Sequence, residues 1–104
     1  MIILLIVNNM KVNILEEKQM REIGFTDYSK KNWYFFKRVC ADYPITINFT
    51  INKKTKECEI DILDENFLQP YPAYKTNKEI YQNSKQWIDY MIEHGILSKN
   101  EEYI

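Results

Sequence analysis

The chain has 104 residues, 14 basic and 15 acidic side chains and a formal charge of −1, a size that fits one domain. Proteins that live on phosphate contacts usually carry a basic excess, so this balance argues against general nucleic-acid binding. Two cysteines, Cys40 and Cys58, and a single His94 supply neither the disulfide framework of a small secreted domain nor a Cys/His zinc set, so both thiols are expected to be reduced.

Met1 to Val7 reads MIILLIV, too short for a bilayer span, which needs about twenty residues. No basic region precedes it and no small-residue cleavage site follows, so a signal peptide is not expected. Met10 and Met20 are both possible starts. Glu16-Glu17-Lys18 can be encoded as a purine-rich string like a bacterial ribosome-binding site, with Gln19 as spacer. The expectation is that translation starts at Met20 and that residues 1–19 are a leader or an extra N-terminal element. If present, Met1–Val7 would add as a strand and Val12–Met20 would form a short helix.

From Met20 the segment MREIGF ends at Gly24-Phe25, and Thr26-Asp27-Tyr28-Ser29 has the small oxygens that bond nearby backbone in turns. Trp33 to Cys40 is rich in aromatic and β-branched residues and predicts a strand with Trp33, Phe35 and Val39 inward and Tyr34, Phe36 and Arg38 outward. A helix through Lys31–Ala41 is the alternative. Pro44 closes this element.

Ile45 to Leu63 carries the clearest pattern. Ile45, Ile47, Phe49 and Ile51 alternate with Thr46, Asn48, Thr50 and Asn52, while Cys58, Ile60 and Ile62 alternate with Glu57, Glu59 and Asp61. Alternation puts the apolar side chains on one face of a pleated strand. The polar Lys53–Lys56 is then the turn, and the apolar faces coincide if Ile51 sits opposite Cys58, Phe49 opposite Ile60 and Ile47 opposite Ile62. A hairpin needs a partner layer to persist in water.

Phe67 to Tyr74 predicts an extended crossover, since Pro70 and Pro72 push the preceding residues away from helix, with Phe67 and Leu68 over an end of the core. Thr76-Asn77-Lys78-Glu79 has the form of a capping box. Ile80, Ser84, Trp87, Ile88, Met91 and Ile92 then recur at helical spacing, and Gly95 stops the helix with Ile96 packing back. His94 sits where a cation complements the helix dipole. Tyr103 and Ile104 would anchor the tail.

These elements predict a two-layer α+β domain over residues 20–104, in which a three- or four-stranded antiparallel sheet packs against a C-terminal helix spanning Asn77–His94. The expected core draws Trp33 and Phe35 from the first strand, the four apolar residues from Ile45 to Ile51, Ile60 and Ile62, and Ile80, Trp87, Ile88 and Met91 from the helix.

Three groups of side chains are candidate sites. Tyr71 and Tyr74 could be rigid anchors for a protein partner, the role aromatics take at interfaces, or could seal the core. Tyr34, Phe36, Arg38, Lys53, Lys54 and Lys56, with Lys30, Lys31 and Lys37 nearby, combine rings and cations as single-stranded nucleic-acid binders do, although no RNP signature is present. Glu59, Asp61, Asp64 and Glu65 could bind a hard cation, or be a solvated face that discourages aggregation. No nucleophile elbow, Walker loop, dinucleotide fingerprint or H-E-x-x-H frames any of them, so no catalytic residue and no cofactor is assigned.

The stretches MREIGFTDYS, WYFFKRV, IDILDENFLQPY and the ending GILS…YI resemble small uncharacterised bacterial proteins of prophages and mobile elements. The resemblance covers most of residues 20–104. It implies a bacterial cytoplasmic setting and a start at Met20, and supplies no site residues. The expected function is a non-enzymatic accessory that binds a protein, through the open sheet face or the Tyr71/Tyr74 crossover, without membrane association. The alternative is single-stranded nucleic-acid binding through the aromatic and basic sheet face.

Overall fold

The computed structural model describes residues 7–66, 69–70 and 78–98, with side chains for 12–66 and 78–98. Its elements are strand β1 (Val7–Lys11), helix α1 (Glu17–Ile23), strands β2 (Asn32–Arg38), β3 (Ile45–Asn52), β4 (Glu57–Asp64) and β5 (Gln69–Pro70), and helix α2 (Lys78–Glu93). The segments expected at Met1–Ile6, at Phe67 and Leu68, at the Thr76 capping box and at Tyr103 and Ile104 lie outside the described residues.

The order in the antiparallel sheet is β1-β4-β3-β2, with the short β5 also on β4. Ile51 pairs with Cys58, Phe49 with Ile60 and Ile47 with Ile62, the register that matching the apolar faces requires. Asn52 shapes the turn: its side-chain oxygen accepts from the Lys54 and Thr55 amides at 2.8 and 2.9 Å, and its carbonyl accepts from the Lys56 amide at 2.8 Å. Lys56 sits at φ +63, the left-handed region that closes this loop. The Lys31–Ala41 segment forms the strand, not the helix: β2 pairs with β3 from Asn32↔Asn52 to Arg38↔Thr46.

Side chains from one face of β2, β3 and β4 meet the helices. Ile47, Phe49, Ile51, Ile60 and Ile62 are at most 1% exposed, as are Ile80 and Met91 of α2. Polar contacts orient α2 on this layer: Asn83 donates to the Val39 carbonyl at 3.0 Å, and the Tyr90 hydroxyl donates to the Ile23 carbonyl at 2.8 Å. Gly95 at φ +81 ends α2, with its amide on the Ile92 carbonyl and that of Ile96 on Met91, a Schellman stop. Trp87 departs from the core expected for it. It is partly buried at the margin, its ring 5.5 Å from Phe35 and 5.2 Å from Tyr90, because α2 turns that position toward the rim of β2.

The N-terminal helix also differs from expectation. It begins at Glu17, not Val12, and uses MREI as its last turn before Gly24. Val12 and Asn13 instead donate their amides to the Lys56 and Ile96 carbonyls, at 3.0 and 3.2 Å, which draws this segment toward the hairpin tip and the end of α2. Gln19 accepts the Glu16 amide at 3.3 Å and favours a start there. Met20, Ile23 and Phe25 then enter the core.

Candidate interaction face

The face of the sheet opposite the helices is the candidate site, and β2 builds its most apolar part. Pleating turns Tyr34, Phe36 and Arg38 to this side, as the alternation of Trp33 and Phe35 inward requires. Phe36 is 67% exposed, and Tyr28, from the preceding loop, is 80% exposed. Tyr28 stacks on Tyr34 with ring centroids 4.7 Å apart. The Tyr34 hydroxyl bonds Ser29 at 3.1 Å and Asn32 at 3.0 Å, and these bonds lower its pKa. A cleft of about 110 Å³ runs between Tyr28, Tyr34, Phe36, Asn48 and Thr50. Tyr43, 61% exposed, lies in the loop beyond β2.

Two cations assigned to this site have other work. The Arg38 guanidinium folds back on the following loop, donating to the carbonyls of Cys40 at 2.9 Å, Tyr43 at 3.3 Å and Ala41 at 3.4 Å. Lys53 pairs with Asp27 at 2.7 Å, and Asp27 also takes Arg21 of α1 at 2.7 Å. Hydrogen bonds from Lys53 and Arg21 hold the Asp27 carboxyl below its ordinary pKa. Both cations also approach the Trp33 ring, Lys53 at 4.3 Å and Arg21 at 5.3 Å from its centroid. Lys54 and Lys56 remain exposed at the tip, where Lys30, Lys31, Lys53 and Lys54 line a cleft of about 330 Å³. The structure therefore splits the basic set between a tip cluster and an intramolecular clamp.

Glu59 and Asp61 lie across the same face on β4, with Asp64 and Glu65 at the end of the strand. Asp61 is half-buried opposite Asn48, and one of its carboxylate oxygens is buried without a hydrogen bond. Burial, with Glu59 and Glu65 nearby, raises its pKa. Glu65 instead accepts a hydrogen bond from the Thr46 hydroxyl, and Asp64 accepts one from the Asn66 amide at 3.0 Å. Among the described residues, no group of three or more His, Cys, Asp or Glu side chains could hold a metal ion. Cys40 and Cys58 are free and buried, and burial pushes the Cys58 thiol up to about 12. Exposed His94 packs edge-on against Tyr90, 4.5 Å between centroids, beside a groove of about 410 Å³ between α1 and the end of α2. Tyr71 and Tyr74 lie outside the described residues.

Sequence reasoning overlooked Asp27 and Tyr28, which look like ordinary turn residues. Their roles depend on a bridge between Thr26 and Tyr34, a pairing outside any alternating run. The available signal was Asp27-Tyr28 itself, a carboxylate and a ring placed a few residues before a strand with outward aromatics.

No family model matches the chain, and no curated protein matches it. Among solved structures it is similar to the crystal structure of a DUF1831 family protein from Lactobacillus plantarum, with a TM-score of 0.72 and 15% identity over 86% of this chain and 83% of that one. At that identity the likeness shows the α+β fold, two layers with a C-terminal helix on an antiparallel sheet. Among the described residues, no helix is long and apolar enough to cross a membrane.

Proposed function

We propose that the chain is a small non-enzymatic accessory domain that binds another protein through the open sheet face around Phe36, in the bacterial cytoplasm. The observation that carries this reading is the exposure of Phe36, 67% open on a face it shares with Tyr28. Large rings left in water beside polar neighbours are the usual material of a protein contact. The resemblance to prophage and mobile-element proteins agrees with the setting. The test is a photo-crosslinking amino acid at Phe36, with exposed Lys18 as the control position, in the native host. Protein adducts specific to position 36 are expected; their absence would remove the reading.

Single-stranded nucleic-acid binding is the second reading, favoured by the stacked Tyr28 and Tyr34 and by the lysine-lined cleft at the hairpin tip. Against it stand the neutralised Lys53, the folded-back Arg38 and the acidic β4 side of the face. Fluorescence titration with single-stranded oligonucleotides at low salt decides it. Stacking requires that Tyr34→Ala/Phe36→Ala weaken binding strongly, since each stacked base is worth about 1–3 kcal/mol. Binding that ignores the rings and follows the lysines is nonspecific attraction.

A further inference from the structure

Among the described residues, the outer edge of β2 is open where Phe36 stands. The Val39 amide bonds the Ile45 carbonyl and the Lys53 amide bonds the Lys31 carbonyl, which fixes the alternation of the β2–β3 ladder. Trp33, Phe35 and Lys37 therefore bond inward to β3, and the amides and carbonyls of Tyr34, Phe36 and Arg38 point to the other side. Tyr34 is satisfied there by Thr26, with bonds of 2.7 and 2.8 Å. Before Thr26 the chain leaves the edge, because Gly24 at φ +124 ends α1 against the Phe35 ring. Among the described residues, the backbone of Phe36 and Arg38 is left as an unpaired stretch in line with Thr26.

We infer that this edge receives an extended acidic segment of a partner protein as an added antiparallel strand. The inference rests on the protein-binding reading and names the chemistry of the partner. Strand addition takes affinity from main-chain bonds and specificity from alternate side chains. On this edge the partner residue opposite Phe36 meets an open ring. The residue opposite Lys37 lies on the helix side beside an exposed ammonium, 5.6 Å from the Trp87 ring centroid and 5.8 Å from that of Phe35. An Asp or Glu there complements the charge. A second copy of this chain fits poorly. Two-fold pairing centred on Lys37 or Arg38 sets like charges opposite each other, which is destabilising. Centring on Phe36 requires the Tyr34 edge that Thr26 holds.

The test is selection of phage-displayed random decapeptides on the full chain, followed by amide exchange of the complex. Expected are peptides that alternate apolar residues with Asp or Glu. At a peptide concentration about ten times Kd, exchange at Phe36 and Arg38 should slow roughly tenfold. Lys37→Glu should turn the selection toward Lys and Arg peptides, and Lys37→Gln, which keeps the fold without the charge, should lose the acidic preference. Peptides that bind while both amides exchange as before would overturn the edge inference and leave the face reading standing. Failure to select any peptide would overturn the edge inference as well, whereas loss of the position-36 protein crosslinks would overturn the reading beneath it. Protection of the same amides by self-association, or by an oligonucleotide in place of a peptide, would also overturn the acidic-strand inference.

Discussion

Gly24 and Gly95 both end helices at positive φ, but their surroundings differ. A methyl at Gly24 would lie 2.9 Å from the Phe35 ring, whereas one at Gly95 would meet nothing within 4 Å. Gly95→Ala should therefore cost only the conformational term, about 1 kcal/mol, and Gly24→Ala that term plus overpacking, about 2–3 kcal/mol. Urea denaturation of the two variants checks the order. Asp61 offers a test with pH. Its folded pKa is raised by burial, so folding tightens its hold on the proton. This acid favours the folded state at low pH, and that advantage is lost as pH rises from the unfolded pKa through the folded one. Asp61→Asn should melt higher than wild type near pH 7, with the gap closing as pH falls toward about 3. Asp27 has the opposite sign. Its pKa is lowered by Lys53 and Arg21, so its contribution is present above its unfolded pKa and fades as pH falls through the folded one.

Among the elements, the β3–β4 hairpin was legible because both its strands alternate strictly and a one-residue slip would expose every apolar side chain. β2 was legible in type, and its inward residues followed from the same period. α1 was not: Val12, Ile14 and Leu15 look as helical as Met20 and Ile23, and only the long-range bonds of Val12 and Asn13 decide against them. For Trp87, the stripe gave the correct side of α2 without its depth, since a helical period does not say where the sheet beneath ends. That difference is measurable. Phe49, 1% exposed between β2 and β4, should cost about 3–5 kcal/mol on truncation to Ala. Trp87→Ala should fall below that range because its ring already touches water. Equal losses in chemical denaturation would contradict this ranking.

For the whole molecule, residues 7–16 tie distant parts together. β1 pairs with β4, the Val12 amide reaches the hairpin tip, and Asn13 binds the stop of α2 through both its amide and its side chain, the latter 3.1 Å from the Gly95 carbonyl. A chain starting at Met20 would also begin inside α1, at a residue with no exposed surface. Such a chain should melt well below the full-length protein, and exchange at Cys58 and Ile60 amides should rise most. An unchanged melting temperature would show these ties to be dispensable. Intact mass of the native protein reports which start is used. The candidate site was half legible. The outward set Tyr34, Phe36 and Arg38 followed from alternation, but the neutralisation of Lys53 and the wrapping of Arg38 arise from loop geometry that periodicity does not encode.

The two sides of the sheet are built unequally. On the β4 side, β1 changes register between Val7 and Met10 and β5 is two residues long with a proline, so both present poor templates for another strand. On the β2 side, Phe36 and Arg38 stay free among the described residues. Growth by strand addition therefore has one live end. A strand added there brings its own outer edge, so the partner, not this chain, decides whether the sheet ends with it. Because this chain fits that edge poorly as its own partner, light scattering of concentrated protein alone should show no growth in particle size, whereas growth would mean that copies do pair there.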